Sequence, residues 1–147
     1  MSRYEGAGSV AVRPIASLDE LADVFDAIGA QLPRQLTHGD RRFADLARRF
    51  PEDRLLMLVA ERDGCILGGA LAFRRDTTGV TLRVIGLDPD ARGAGIGRRL
   101  VEEIEREASR LGVRLISLGA DEAAGFYERL GYARSGDAYH KSIGERM

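Results

Sequence analysis

The sequence predicts an α/β domain built on a mixed, mostly antiparallel sheet. Three observations carry this. Leu55 to Glu61, Cys65 to Phe73 and Val80 to Leu87 are successive apolar runs joined by short polar turns, the pattern of an antiparallel meander. A long amphipathic segment beginning at Ile96 then separates two apolar strands, which calls for a crossover helix with parallel strands on either side. The chain closes with a second strand pair between Tyr132 and Ile143.

Taken in order, Met1 to Gly8 is small and polar and is expected to be a flexible N-terminus. Residues 9–147 form one domain, because no repeat, low-complexity tract or linker divides them. Ser9 to Ile15 alternates Val10, Val12 and Pro14 with Ala11, Arg13 and Ile15, an edge-like first strand. Ser17 with Glu20 three residues on is a capping box, and Leu21, Phe25 and Ile28 line the buried face of the helix that follows. A second helix is expected from about Asp40, with Phe43, Leu46, Ala47 and Phe50 at helical spacing and Pro51 as its stop.

Arg62-Asp63-Gly64 joins the first two strands of the meander. Gly68-Gly69 inside the second signals a bulge or a close backbone approach. Ile96, Leu100, Val101, Ile104, Ala108 and Leu111 line one side of the long helix, which Gly112 ends. Val113 to Leu118 is the next strand. A short helix is expected from about Asp121 to Leu130 with Gly131 closing it, and the final hairpin turns around Ser135-Gly136-Asp137.

Composition narrows the function classes. At 147 residues the chain can bury one core. A net charge of -1, with arginines interleaved with acids, argues against nucleic-acid and membrane partners. Of the 22 basic residues only Lys141 is a lysine, a bias typical of GC-rich bacterial coding. The single cysteine, Cys65, lies in an apolar run and reads as a buried, inert thiol in a reducing compartment. With no signal pattern at the start and no apolar run of spanning length, the expected location is the cytoplasm. Two histidines and one cysteine are too few for a structural zinc cluster, and no metal site is expected.

The most informative stretch is Arg92-Gly93-Ala94-Gly95-Ile96-Gly97-Arg98-Arg99, between a strand and the long helix. Glycines remove the Cβ atoms that would hold a ligand away from backbone N–H groups, and a helix N-terminus adds unpaired donors and partial positive charge. Together they form a pocket for a polyphosphate. Arg98 and Arg99 oppose the helix dipole unless an anion binds there. The plainer alternative is a turn that only reverses the chain. A dinucleotide fingerprint needs its third glycine where Arg98 stands, and a P-loop needs a lysine that is absent here, so both of those fail.

Arg92 to Gly97 resembles the Arg/Gln-x-x-Gly-x-Gly/Ala segment of the GCN5-related N-acetyltransferase (GNAT) superfamily. The likeness extends back through Ile85-Gly86-Leu87-Asp88-Pro89 and resumes at Ala123-Ala124-Gly125-Phe126-Tyr127-Glu128-Arg129-Leu130-Gly131-Tyr132. It implies a three-layer α-β-α acyl-CoA N-acyltransferase fold. It also implies acetyl-CoA as cosubstrate and an amine acceptor, a small molecule or a protein amine. Carried over by position, the backbone of Ile85, Gly86 and Leu87 would pair with the pantetheine arm like an added strand. The amides of Arg92, Gly93, Ala94, Gly95, Ile96, Gly97 and Arg98 would hold the pyrophosphate, and Tyr127 would lie near the thioester sulfur. Ala120 departs from the pattern, since the family often has an asparagine there.

Acyl transfer to an amine needs a neutral amine, a polarised carbonyl and a proton for the leaving thiolate. A phenol with an ordinary pKa of about 10 stays protonated at neutral pH, which suits Tyr127 as that acid; a core tyrosine beside Phe126 is the alternative. The base stays open. Val80 to Arg83 offers no carboxylate; Glu61 and Asp76, at predicted strand ends, are candidates, and a water chain is another. His38 and His140 have bland alternatives as loop and strand-surface residues. The expectation is an acetyl-CoA-dependent N-acetyltransferase, a monomer or homodimer, with a non-catalytic acyl-CoA sensor of the same fold as the alternative. The Ala30 to Gly39 loop, with Arg34 and Gln35, is a candidate acceptor contact.

Overall fold

The computed structural model describes residues 10–15, 17–29, 55–91, 93, 95–119 and 124–143. Within them the strands are β1 (Ala11–Pro14), β2 (Leu55–Arg62), β3 (Cys65–Arg74), β4 (Gly79–Leu87), β5 (Leu115–Gly119), β6 (Ala133–Ser135) and β7 (Ala138–Ser142). The helices are α1 (Leu18–Ala27), α2 (Ile96–Arg110) and α3 (Ala124–Arg129), with a 3-10 turn at Pro89–Ala91. The helix expected from Asp40 lies outside the described residues. The strands form one sheet in the order β1-β2-β3-β4-β5-β7-β6. Only the β4–β5 pair is parallel, the two being linked through α2 as the crossover rule requires.

Each face of the sheet has its own core. On one side Leu21, Val24, Phe25 and Ile28 of and just after α1 pack on Met57, Val59, Leu71 and Phe73. On the other, Ile96, Leu100, Val101, Ile104 and Ala108 of α2, with Tyr127 of α3, pack on Leu58, Ala60, Ala70, Ala72, Val80, Leu82 and Ile116. This is the three-layer α-β-α arrangement. Alternate residues of a strand point to opposite faces, so the neighbouring glycines of β3 serve opposite helices. A Cβ on Gly68 would come within 2.8 Å of Leu87 and 3.2 Å of Leu100, and one on Gly69 within 2.9 Å of Val24 and 3.3 Å of Phe25. The sequence signal of bulge or close approach is satisfied both ways. Ala60 pairs with Gly68 and Glu61 with Ile66, which leaves Leu67 as an extra residue on β3.

Cys65 is only partly buried at the start of β3, because the Asp63-Gly64 turn places it at the sheet margin. β5 starts at Leu115 rather than Val113 because Val113 completes the cap of α2. Its N–H donates to Ala108 O at 2.9 Å beside Gly112, whose φ is 84°. Among the described residues no helix is long and apolar enough to cross a membrane.

Candidate active site

β4 changes character along its length. It pairs with β3 from Val80 to Leu87, but with β5 only at Gly79, Val80 and Thr81. Past the rung where the Thr81 and Ser117 hydroxyls lie 3.5 Å apart, the two strands carry no mutual pairing. β5 stays paired with β7 through Gly119. Leu71 pairs with Val84 and Ala72 with Leu82, so Arg83 is an extra, exposed residue that bends β4 where the fork opens. Among the described residues the edge of β4 around Ile85, Gly86 and Leu87 therefore has no β5 partner, and its backbone donors and acceptors suit an extended ligand.

The chain leaves that edge through a fixed corner. Asp88 is buried; its N–H donates to Leu67 O at 2.9 Å, its Oδ1 accepts from Asp90 N at 2.9 Å and its carbonyl from Ala91 N at 2.8 Å. Gly93 and Gly95 then take φ values of 86° and 79°, the left-handed region that disfavours side chains. A Cβ on either would meet no atom of the described residues within 4 Å.

Gly95 is the N-cap of α2 and supplies no side-chain capping bond, and the first turn contains no acidic residue. The N-terminus of α2 is thus left for an external acceptor, the arrangement that binds anions. The conflict between the helix dipole and the two arginines is partly relieved within the chain. Arg98 donates to Glu102 at 2.9 Å, which raises its pKa, and Arg99 donates to Val10 O at 3.2 Å. The side chain of Arg98 is thereby paired one turn along α2, and the turn's case rests on its amides.

Gly97 has a different task. A Cβ there would come within 3.2 Å of Phe126 Cζ and 3.5 Å of Leu87 Cδ1. Its absence lets α3 approach the glycine turn and the end of β4 together. Tyr127, next to Phe126, is 8% exposed, with its ring edge-on to Phe126 at 5.0 Å and to Tyr132 at 5.8 Å between centroids. So the structure brings Ile85 to Leu87, Gly93, Gly95 to Arg98 and Tyr127's helix into one neighbourhood. Arg92, Ala94, Ala120, His38 and the Ala30 to Gly39 loop lie outside the described residues.

The two carboxylates considered as bases lie at opposite ends of the sheet. Glu61 is at the Leu87 end, since Ala60 pairs with Gly68 and Gly68 with Leu87, but it is two strands from β4 and accepts from Arg13 at 3.1 Å across the β1–β2 pair. Asp76 lies in the β3–β4 turn at the closed end of β4. Its Oδ1 accepts from Thr78 N at 2.8 Å, Thr78 Oγ1 at 2.9 Å and Gly79 N at 2.8 Å. The Thr78 amide, then its hydroxyl, then the Gly79 amide hold its carboxyl below the usual range, which suits a turn cap rather than a base. His140 is half-buried on β7 opposite Ser117, one strand from the Thr81–Ser117 rung. The β4–β5 pairing at Gly79 to Thr81 leaves the Ile85 to Leu87 end of β4 as the one without a β5 partner.

A mixed sheet forked between β4 and β5, with a glycine turn at the fork, defines the acyl-CoA N-acyltransferase fold. Residues 53–134 match the family model described as "Acetyltransferase (GNAT) domain", and the chain belongs to that family. Solved structures share the fold at low identity. An aminoglycoside 6'-N-acetyltransferase complexed with coenzyme A is 18% identical with a TM-score of 0.72, covering 93% of this chain and 99% of that one. The ribosomal-protein-S18-alanine N-acetyltransferase from Escherichia coli is 21% identical with a TM-score of 0.72, covering 95% and 97%. Ard1 from Thermoplasma volcanium is 18% identical with a TM-score of 0.68, covering 91% and 97%.

Proposed function

We propose that this protein transfers an acetyl group from acetyl-CoA to an amine by direct attack on the thioester. The observation that carries this is the continuous path from the unpaired edge of β4 into the uncapped N-terminus of α2, with α3 packed against both. On this reading the backbone of Ile85, Gly86 and Leu87 pairs with the pantetheine arm. The amides from Arg92 through Gly93, Ala94, Gly95, Ile96 and Gly97 to Arg98 take the pyrophosphate. Fixed donors of this kind need no reorganisation when charge develops. Tyr127 gives its proton to the departing thiolate, and water in the fork takes the proton of the incoming ammonium. The neighbour crystallised with coenzyme A supports acyl-CoA as the donor class. The acceptor is an amine on a small molecule or a protein, and the partly exposed Cys65 fits work in the reducing cytoplasm, as a monomer or homodimer.

The test is a panel of amines, including aminoglycosides and peptide N-termini, with acetyl-CoA present and free thiol followed over time. Amine-dependent thiol release is the expected result. Acetyl-CoA bound in calorimetry without thiol release from any amine would favour an acyl-CoA sensor instead.

A further inference from the structure

α3 has six residues, too few to hold its shape alone, so whatever orients Tyr127 must come from its surroundings. One attachment is Gly97 against Phe126 near its start. A second, among the described residues, is a cluster of three polar side chains at its end, from α2, β7 and the segment that follows α3. The Tyr132 hydroxyl donates to Glu105 Oε2 of α2 at 2.9 Å. Lys141 of β7, the chain's one lysine, donates to both Glu105 oxygens at 3.2 Å and to the carbonyl of Leu130 at 2.8 Å. Its Nζ also lies 5.5 Å over the Tyr132 ring.

These bonds converge on Tyr127. Its carbonyl accepts from Leu130 N at 3.0 Å and Tyr132 N at 3.1 Å, closing the helix at Gly131, whose φ of 97° makes the reversal possible. Its ring rests edge-on against the Tyr132 ring. Lys141 thus holds the carbonyl end of α3, while Glu105 fixes the ring on which Tyr127 leans. Both attachment points, Gly97 and Glu105, are on α2, whose N-terminus is the glycine turn. The phenol is therefore referenced to the same rigid helix as the turn.

The geometry points to Glu105, Tyr132 and Lys141 as positioning residues that set the Tyr127 phenol relative to the cofactor turn. This rests on the proposed role of Tyr127. Tyr132 is 3% exposed, and burial, then the Glu105 charge, raises its pKa, so it keeps its proton and stays a donor to Glu105. Without Lys141 the partly buried Glu105 carboxylate would lose its ion-pair partner and keep the Tyr132 hydroxyl bond.

The experiment uses Tyr132→Phe and Lys141→Met, with Tyr127→Phe as reference. Thiol release is measured with the most responsive amine, and acetyl-CoA affinity by calorimetry. The chain has four tyrosines and no tryptophan, so tyrosine labelled with carbon-13 at Cζ gives an uncrowded spectrum in which Tyr127→Phe assigns the Tyr127 signal. Tyr132→Phe keeps the ring and is the variant best placed to fold. For both clamp variants kcat should fall on the order of ten- to a hundredfold, as for a misplaced reacting group. Acetyl-CoA affinity should hold within about twofold, and the Tyr127 signal should shift or broaden. Clamp variants that fold, turn over at the wild-type rate and leave that signal in place would overturn the clamp while Tyr127→Phe still lost activity. A Tyr127→Phe protein with full activity would remove the proposed acid, and the positioning role would fall with it.

Discussion

The N-termini of α1 and α2 solve the same problem in opposite ways. At α1 the Ser17 hydroxyl accepts from Glu20 N at 3.1 Å, and Asp19 and Glu20 add negative charge to the first turn. The protein satisfies its own donors there. At α2 the N-cap is Gly95, with no side chain to offer, and the first turn carries Arg98 and Arg99 instead of acids. On the proposed reading the first helix starts for the sake of the fold and the second for a ligand. What distinguishes them is the missing acceptor, a feature that costs stability unless an anion supplies it.

The largest expected effect comes from making α2 resemble α1. Gly95→Asp places a carboxylate where the phosphates would lie, in a left-handed conformation that Asp tolerates better than most residues. Acetyl-CoA affinity should fall on the order of a hundredfold or more, roughly what charge repulsion plus lost amide contacts would give. A Cβ at Gly95 meets no atom of the described residues, so the stability cost should be confined to the left-handed backbone, on the order of 1 kcal/mol, and part of it offset by the new N-cap carboxylate. Gly95→Val should also lose affinity, through bulk and through the strain of a β-branched residue at a φ of 79°, which should lower its thermal midpoint as well. If both variants bind acetyl-CoA normally by calorimetry, the turn is only a chain reversal.

Gly97→Val is expected to act differently, although it is two residues away. Its branch would press on Phe126 and shift α3, so stability and turnover should drop together, with a cost of about 1–3 kcal/mol from overpacking. Denaturant midpoints alongside rates would show whether the two glycines separate in this way.

Ser17→Ala sharpens the other side of the comparison. Loss of an N-cap of this type costs about 1 kcal/mol, with acetyl-CoA affinity unchanged. A change in affinity would mean that α1 also borders the cofactor.

Asp76 gives the smallest effect and the clearest pH signature. It gathers the Thr78 and Gly79 amides much as an anion would, but with a side chain of the chain's own. Its folded pKa is lowered, so its stabilisation is present above the ordinary carboxylate pKa and is lost as pH falls through the lowered value. Asp76→Ala should lower the thermal midpoint slightly at neutral pH and match wild type at low pH, with turnover unaffected. A strong loss of turnover would return Asp76 to the list of bases.

Much of this was legible in the sequence because it is local. The glycines at 93, 95 and 97, the Ser17 cap, the Gly112 and Gly131 reversals and the succession of described strands and helices along the chain all follow from short-range patterns. The split of roles between Gly95 and Gly97 was not, because it depends on Phe126 arriving from another element. Asp76 reads as a strand-end candidate in the sequence, and only the short β4–β5 pairing shows that it sits at the closed end of β4. Glu61 lies at the Leu87 end of the sheet, two strands over and bonded to Arg13, an arrangement no local pattern gives. The Arg98–Glu102 pair lies at a readable four-residue spacing, whereas the Glu105–Tyr132–Lys141 cluster joins residues up to 36 positions apart and has no sequence signature.

The most direct measurement of the central claim compares Tyr127→Phe with wild type in amine-dependent thiol release, with acetyl-CoA affinity measured on the same preparations. The substitution removes one hydroxyl and keeps the ring that packs on Phe126 and Tyr132. The expected result is a turnover lower by about a hundredfold, within the usual range for a general acid, at nearly unchanged affinity. Equal turnover in the two proteins would contradict the account, and a loss confined to affinity would make Tyr127 a wall of the cofactor site.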